Sequence, residues 1–94
     1  MRVLIAEHVA KQIKKLDPAL KERLRKALDF LSENPELGKR LEDELKGLQS
    51  YRISKYRIIY KSLKKEGVLY VTWFSHRADV YDEVKRILKA GKLK

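Results

Sequence analysis

The spacing of the apolar residues changes near Tyr51, and this change constrains the fold more than any other feature of the chain. In residues 8–33, apolar residues recur three or four positions apart, as in a helix that buries one side. From Tyr51 onward, aromatic and β-branched residues follow one another in short runs that are typical of strands. Helices that are separated in this way from a series of strands predict an α+β domain with an antiparallel meander.

The helical part is predicted to be a hairpin of two helices that meet at Asp17-Pro18. Aspartate is a good helix N-cap, and proline is preferred at the first helical position. Asn34-Pro35 ends the second helix, because the residue before a proline is pushed out of the helical backbone region. The apolar positions of the two helices are Val9, Ile13, Leu16, Leu20, Leu24, Ala27, Leu28 and Leu31.

The strands are predicted from four apolar or aromatic runs. Residues 1–6 form a short apolar run, which we interpret as an N-terminal strand. Tyr51–Ile53 and Tyr56–Tyr60 predict a β-hairpin with a tight turn at Ser54-Lys55. Residues 68–74 predict a third strand, so residues 48–75 are expected to form three consecutive antiparallel strands with the helical hairpin packed on one face.

The remaining segments complete the predicted order β-α-α-β-β-β-α. Residues 37–47 are irregular and acidic, and we interpret them as a loop with one helical turn at most. Residues 64–67 predict a turn, Asp79 is expected to cap a last helix, and Gly91 is expected to end it. The predicted fold is an N-terminal strand, a helical hairpin packed on an antiparallel three- to four-stranded sheet, and a C-terminal helix. The length of 94 residues predicts one domain, residues 1–94.

The charge of the chain is strongly positive and unevenly distributed. Its 23 Lys and Arg residues exceed its 13 Asp and Glu residues, which gives a net charge of +10. Residues 46–65 contain seven basic residues and no acidic one, and the last ten residues contain five basic residues and no acidic one. This clustering predicts that the protein binds a polyanion, although solvated surface lysines would produce a similar composition.

The residue types exclude several classes of chemistry. The chain has no cysteine, which excludes disulfides, cysteine-ligated zinc and a thiol nucleophile. It has no glycine-rich phosphate loop, no GxSxG, no HExxH and no paired acidic residues on the strands, so we expect neither a cofactor nor a metal site. The N-terminal apolar run is too short for a signal peptide or a membrane span, so a cytoplasmic protein without membrane contact is expected.

A chain with these residues that cleaves a phosphodiester would need Arg, Lys, His and Tyr. RNA permits this, because its own 2′-OH attacks the adjacent phosphate when it is deprotonated and the extra charge is neutralised. Suitable residues are Arg57 in the middle of a strand and His76, Arg77 and Tyr81 around the start of the last helix. There are simpler alternatives for two of these residues. Arg57 could merely lie on the solvent-facing side of its strand, and His76 could merely form a hydrogen bond beside the start of the helix.

Two segments resemble motifs of the RelE/ParE toxin superfamily. Residues 51–60, YRISKYRIIY, resemble its YRVGxYRxIY hairpin, and residues 76–81, HRADVY, resemble its HRxxVY segment. The order of the motifs, the chain length, the Asp17-Pro18 hairpin and the basic charge are similar as well. Ser54 stands where the family usually has a turn glycine, and Lys55 where an acidic or polar residue is frequent.

The resemblance implies the RelE-like microbial RNase fold and a toxin of a type II toxin–antitoxin system. RelE-like members cleave mRNA in the ribosomal A site without a metal, whereas ParE-like members poison DNA gyrase and lack the cleavage residues. The implied partners are an acidic, RelB-like antitoxin in a toxin–antitoxin hetero-oligomer, and mRNA on the ribosome. A gyrase-inhibiting toxin and an inactive relative that only binds an antitoxin remain the alternatives.

The resemblance also assigns roles to residues. Arg57 matches the strand arginine that contacts the scissile phosphate, Arg77 the second phosphate-binding arginine, and Tyr81 the tyrosine that orients or stacks on the substrate base. His76 is the candidate for proton transfer. The best-studied members use lysines instead, and Lys55 or Arg52 could take their place here. The further basic residues that we expect to bind the substrate are Arg52, Lys46 and Lys61.

Overall fold

The structure, a computed structural model, describes residues 1–75 as two helices and a five-stranded sheet. The predicted C-terminal helix between Asp79 and Gly91 lies outside these residues. The helices are α1 (Glu7–Lys14) and α2 (Pro18–Glu33). The strands are β1 (Arg2–Ile5), β2 (Lys39–Arg40), β3 (Gln49–Ile53), β4 (Tyr56–Leu63) and β5 (Val68–Ser75).

Helix α2 begins and ends where Asp17-Pro18 and Asn34-Pro35 predict. The Asp17 carboxylate accepts a hydrogen bond from the Leu20 backbone N–H at 2.9 Å, and Pro18 is the first residue of α2. The helix ends at Glu33, one residue before Asn34-Pro35. This cap satisfies one of the backbone donors that a helix N-terminus leaves without an intrahelical partner.

The predicted meander is confirmed, and the sheet extends beyond it on both sides. Strands β3, β4 and β5 are consecutive and antiparallel, and a single 3₁₀ turn, Lys64–Glu66, occupies the predicted turn between β4 and β5. The full strand order is β1-β5-β4-β3-β2, with β1 parallel to β5. The sheet therefore has five strands and one parallel pair instead of three to four antiparallel strands. The apolar run of β1 indicates a strand but not the direction of its pairing.

Strand β2 lies in the segment 37–47, which we predicted to be a loop. It consists of two exposed basic residues, Lys39 and Arg40, which pair with Ser50 and Gln49 of β3. Two short 3₁₀ turns, Pro35–Leu37 and Asp43–Leu45, flank it. A strand of two polar residues has no apolar alternation, so no pattern in the sequence indicates it.

The main core lies between the helical hairpin and one face of the sheet, which we call the helix face. The helices contribute Val9, Leu24, Leu28 and Leu31, all of them buried. The sheet contributes buried residues from its three central strands, namely Ile53, Ile58, Tyr60, Leu69, Val71 and Phe74. Packing of the hairpin on one face of the meander is thereby confirmed.

Tyr60 is the largest side chain of this core, and it carries the only hydroxyl among the core residues of the described chain. Its O–H donates to the Pro35 carbonyl at 2.7 Å and accepts from the Gly38 N–H at 2.9 Å. The Gln49 side-chain amide donates to the carbonyls of Pro35 and Gly38 at 3.0 and 3.1 Å. These four contacts attach the segment between α2 and β2 to the centre of the sheet.

Gly38 fits against the ring of Tyr60 because it has no side chain. A Cβ atom at position 38 would lie 2.2 Å from the Tyr60 hydroxyl oxygen and 2.7 Å from a ring carbon. These distances are far below ordinary van der Waals contact, and the buried ring has no space into which to retreat.

We expect Tyr60→Phe to lower the free energy of unfolding by about 1–3 kcal/mol, because Gly38 N–H loses its buried acceptor. Burial also raises the pKa of the Tyr60 hydroxyl. The Tyr60 hydroxyl therefore ionises at a lower pH in the unfolded chain than in the folded protein. As the pH rises above about 10, this ionisation stabilises the unfolded chain, and the wild-type protein loses stability. The phenylalanine variant lacks this loss, and its deficit relative to wild type should shrink above pH 10.

Chemical denaturation at pH 7 and between pH 9.5 and 11 measures both effects. Tyr70→Phe is the matched control, because the Tyr70 hydroxyl makes no hydrogen bond within residues 1–75. A Tyr60→Phe variant as stable as the Tyr70→Phe variant would contradict this account.

Candidate functional site

The predicted site residues lie on the face of the sheet opposite the helices, which we call the second face. Side chains alternate along β4, so Tyr56, Ile58 and Tyr60 pack against the main core. Arg57, Ile59 and Lys61 therefore project from the other side. The solvent-facing position that we gave as the simpler reading of Arg57 is thus also the position from which it can bind a ligand.

A second apolar cluster covers part of this face. Leu45 and Leu48 are buried against Ile59, and Leu41 and Trp73 pack around them. Residues 41–48, which we call the cover segment, thus lie over the middle of the second face. The spacing of Leu41, Leu45 and Leu48 is a signal that our interpretation of this segment as an acidic loop did not use.

The end of the second face next to the β3–β4 turn carries a row of residues from the three central strands. Arg52 of β3 pairs with Arg57 of β4, and Arg57 pairs with Ser75 of β5. Residues that pair across antiparallel strands project to the same side, so we call these three residues the arginine row. Arg52 is exposed, and Arg57 and Ser75 are half-buried.

Two like charges directly opposite each other destabilise a hairpin. Arg52 and Arg57 occupy such a pair, and Lys55 follows them in the turn at the same end of the sheet. Three cationic residues thus lie within six consecutive positions at one end of the hairpin. An anion bound at this end would relieve their mutual repulsion.

The turn between β3 and β4 holds an unusual backbone conformation. Ser54 has a φ angle of 57°, in the left-handed region that glycine adopts most readily. The Arg52 side chain closes over this turn, with its Nε–H donating to the Ser54 carbonyl at 3.0 Å. Lys55 is exposed in the second position of the turn.

The other two predicted substrate-binding lysines lie farther along the second face. Lys61 is on the same side of β4 as Arg57, four residues away, which corresponds to about 13 Å along a strand. It pairs with Tyr70 of β5. Lys46 belongs to the cover segment and lines a surface depression of about 600 Å³ together with Arg40 and Gln49. The arginine row and Lys55 form one group, and Lys46 and Lys61 are not part of it.

The remaining predicted residues, His76, Arg77 and Tyr81, lie outside the described residues. Ser75, which pairs with Arg57, is the last of the described residues. His76 and Arg77 are the next two residues of the sequence. The predicted convergence of Arg57 and Arg77 therefore stays a prediction.

His8 is a residue of this region that the sequence analysis did not select. It is exposed near the start of α1, and its ring lies 5.2 Å from the Trp73 ring, centroid to centroid, at an angle of 53°. Trp73 pairs with Ile59 on the second face, two positions before Ser75. The Trp73 Nε1–H is buried without an acceptor within residues 1–75.

The described cations differ in whether a carboxylate pairs with them. Arg25 of α2 pairs with Glu22 and with Asp29, the latter at 3.1 Å. Lys46, Lys55 and Lys61 make no ion pair within residues 1–75. These three lysines therefore have no carboxylate within ion-pair distance among the described residues.

Residues 1–75 contain neither a cluster of metal-binding side chains nor a helix that could span a membrane. No three metal-binding side chains of the types His, Asp and Glu lie close enough together there to hold one ion. Neither helix of this part of the chain has the length and apolar character needed to cross a membrane.

The sequence and fold match known toxins. The family model for the ParE toxin of the type II toxin–antitoxin system, parDE, matches residues 3–81. The chain belongs to the RelE/ParE toxin superfamily. It is therefore a toxin of the type II toxin–antitoxin class, and the predicted α+β fold of this superfamily is confirmed. No curated protein matches the chain by sequence.

Solved structures of RelE toxins share the fold. The isolated E. coli RelE toxin is 27% identical with a TM-score of 0.70, and the match covers 92% of this chain and 97% of that one. In the RelBE2 toxin–antitoxin complex of Mycobacterium tuberculosis, the matching chain is 27% identical with a TM-score of 0.73, over 81% of this chain and 96% of that one. The intact E. coli RelBE complex matches at 21% identity with a TM-score of 0.65, over 74% of this chain and 88% of that one, which supports the fold alone.

We expect Ser54→Gly to raise the free energy of unfolding by about 1 kcal/mol, because glycine adopts a positive φ without the steric cost that Ser54 bears. Ser54→Ala keeps the Cβ atom and is the matched control, for which we expect no gain. Thermal and chemical denaturation of both variants measure the difference. Equal stability of the glycine and alanine variants would contradict the assignment of strain to this turn.

Proposed function

We propose that this toxin is a ribosome-dependent mRNA endonuclease of the RelE type that cleaves RNA in the A site without a metal. The observation that supports this most is the arginine row, in which two arginines pair directly across the hairpin on the second face. Such a pair costs stability, and phosphate binding is a function that would justify it. The 27% identity to RelE toxins over most of the chain supports the same class.

The proposed reaction uses the 2′-OH of the RNA as nucleophile. A protein base removes its proton, the 2′-oxygen bonds to the adjacent phosphorus, and the bond from phosphorus to the 5′-oxygen breaks. A protein acid protonates the leaving 5′-oxygen. The products are a 2′,3′-cyclic phosphate and a 5′-hydroxyl. The reaction changes no oxidation state, so it requires no oxidant or reductant, and the proposed scheme uses no metal.

In this scheme Arg57 neutralises the charge that develops on the phosphate oxygens. Its guanidinium offers a planar fork of donors that suits a phosphate, which a lysine would not replace equally. Arg77 is proposed as the second phosphate ligand, and Tyr81 as the residue that orients or stacks on the base. Proton transfer is assigned to His76, with Lys55 as the competing candidate.

Lys46 and Lys61 are proposed to contact the RNA backbone away from the scissile phosphate. Lys61 lies along β4 from Arg57, on the same side of the sheet. Contacts of this kind contribute affinity that depends on salt and not on sequence.

The proposed partner in the cell is an acidic, RelB-like antitoxin, bound in a cytoplasmic toxin–antitoxin hetero-oligomer. A chain 27% identical to this one has been solved in the RelBE2 toxin–antitoxin complex, and the net charge of +10 suits an acidic partner. Long-range attraction of this kind accelerates association at low ionic strength.

We expect Arg57→Ala to lower the rate of mRNA cleavage by about 10²–10³, because an electrostatic contact to the reacting phosphate is lost. Primer extension on mRNA in a reconstituted translation system measures the rate and the position of cleavage. Arg23→Ala is the matched control: it removes the same charge from an exposed position on α2, on the opposite side of the sheet. Equal loss in both variants would indicate a general charge effect and contradict the role of Arg57.

The same assay distinguishes the two candidates for proton transfer. His76→Ala should lower the rate by about 10²–10⁴ if the histidine performs it. Near wild-type cleavage by this variant together with an inactive Lys55→Ala variant would assign the role to the lysine. Toxicity that is unaffected by substitution of Arg57, Arg77, His76 and Tyr81 would refute the endonuclease.

A gyrase-directed toxin is the second candidate, because the matching family model is that of the ParE toxin. It would produce DNA breaks in a gyrase cleavage assay and no cut mRNA. Absence of both activities in a protein that still binds an antitoxin would identify an inactive relative.

We expect the association rate with the antitoxin to fall as salt rises from 50 to 500 mM, because screening shortens the range of the attraction. Stopped-flow mixing of the purified toxin with a purified acidic, RelB-like antitoxin measures this dependence. A rate that is independent of salt, or no complex at all, would contradict the proposed partner.

A further inference from the structure

We propose that Arg52 is a positioning residue, which holds the Ser54-Lys55 turn in place instead of binding the scissile phosphate. This inference rests on the proposed function, because the purpose of the turn is to present Lys55 beside Arg57. It changes the role that the sequence analysis gave to Arg52, which was substrate binding.

The first argument is the hydrogen bond that Arg52 makes. Its Nε–H donates to the Ser54 carbonyl at 3.0 Å, two residues ahead in its own hairpin. An arginine that binds phosphate through a planar fork uses Nε–H together with a terminal N–H, or both terminal groups. The contact to Ser54 occupies Nε–H and so removes one of these two modes.

The second argument is the backbone that this bond holds. Ser54 has a φ angle of 57°, which a residue with a Cβ atom adopts only at a cost. Such conformations persist where surrounding contacts hold them, and they concentrate at functional sites. The bond from Arg52 is a contact of this kind, since it fixes the carbonyl of the strained residue itself.

The third argument is the charge opposite. Arg52 pairs directly with Arg57 across the hairpin, a placement that repulsion disfavours. The bond to Ser54 directs the Arg52 side chain toward the turn. Lys55 follows Ser54 in the turn, so it is the residue whose position depends on the bond.

Comparison of Arg52→Gln with Arg52→Ala tests the role. Glutamine places its side-chain nitrogen the same number of bonds from Cα as the arginine Nε, so it keeps the donor and removes the charge and both terminal groups. We expect Arg52→Ala to lower the single-turnover cleavage rate about tenfold with little change in KM, and Arg52→Gln to restore most of that rate. A phosphate ligand would be lost equally in both variants.

The Ser54→Gly substitution provides an independent rescue. Glycine adopts the turn conformation without support, so it should raise the rate of the Arg52→Ala protein severalfold and change that of the wild-type protein little. Rescue by either glutamine or glycine supports the positioning role. Failure of both, or wild-type activity of Arg52→Ala, overturns it.

A readout without RNA separates this inference from the proposed function. Hydrogen exchange of the backbone amides in residues 53–56 should be about 2–10 times faster in Arg52→Ala than in wild type and should return toward wild type in Arg52→Gln. Arg23→Gln is the control for the lost charge. If the wild-type toxin cuts no mRNA but the exchange pattern holds, the endonuclease proposal fails while the turn contact stands. Unchanged exchange in Arg52→Ala refutes the contact.

Discussion

Burial of the Tyr60 hydroxyl is the constraint on which most of the described structure depends. A phenol in a core needs hydrogen-bond partners, and here both come from the segment between α2 and β2. That segment is thereby fixed against the sheet, with Gln49 adding two further bonds to its carbonyls. Because residues 35–38 are held, the chain leaves them in a defined direction, forms β2, and passes over the second face as the cover segment.

The two faces of the sheet are consequently stabilised in different ways. The helix face is covered by a large apolar core, whereas the second face has, within residues 1–75, a small apolar cluster around Ile59 and a charged end next to the β3–β4 turn. Both faces use residues of β4, because side chains alternate along a strand. Ile58 and Tyr60 pack into the core on the helix face, and Arg57 and Ile59 lie on the second face. The charged end of the second face can therefore vary in its chemistry without loss of the main core.

The sequence predicted the parts of the fold that are determined locally. Asp17-Pro18 and Asn34-Pro35 mark the helix boundaries by backbone chemistry, and the aromatic and β-branched runs mark β3, β4 and β5. It did not predict β2, whose two polar residues are a strand only because Ser50 and Gln49 lie beside them. The parallel pairing of β1 likewise depends on tertiary packing.

The candidate site was predictable in a similar, partial way. Alternation along the predicted strand gave Arg57 a solvent-facing position, whereas its direct pairing with Arg52 became visible only from the register of the hairpin. The bond from Arg52 to Ser54 was not predictable, because it depends on the rotamer of a long side chain. The contact between His8 and Trp73 was missed because their separation in sequence gives no local signal.

The close approach of Gly38 to Tyr60 has a consequence for the evolution of this toxin. Any side chain at position 38 would overlap the phenol, and the phenol needs the backbone at position 38 as its partner. Neither residue can therefore change alone without loss of stability. A relative that differs at one of the two positions is expected to differ at the other as well. In an alignment of relatives, positions 38 and 60 should covary: glycine accompanies tyrosine, and a larger residue at 38 accompanies a smaller or non-aromatic one at 60.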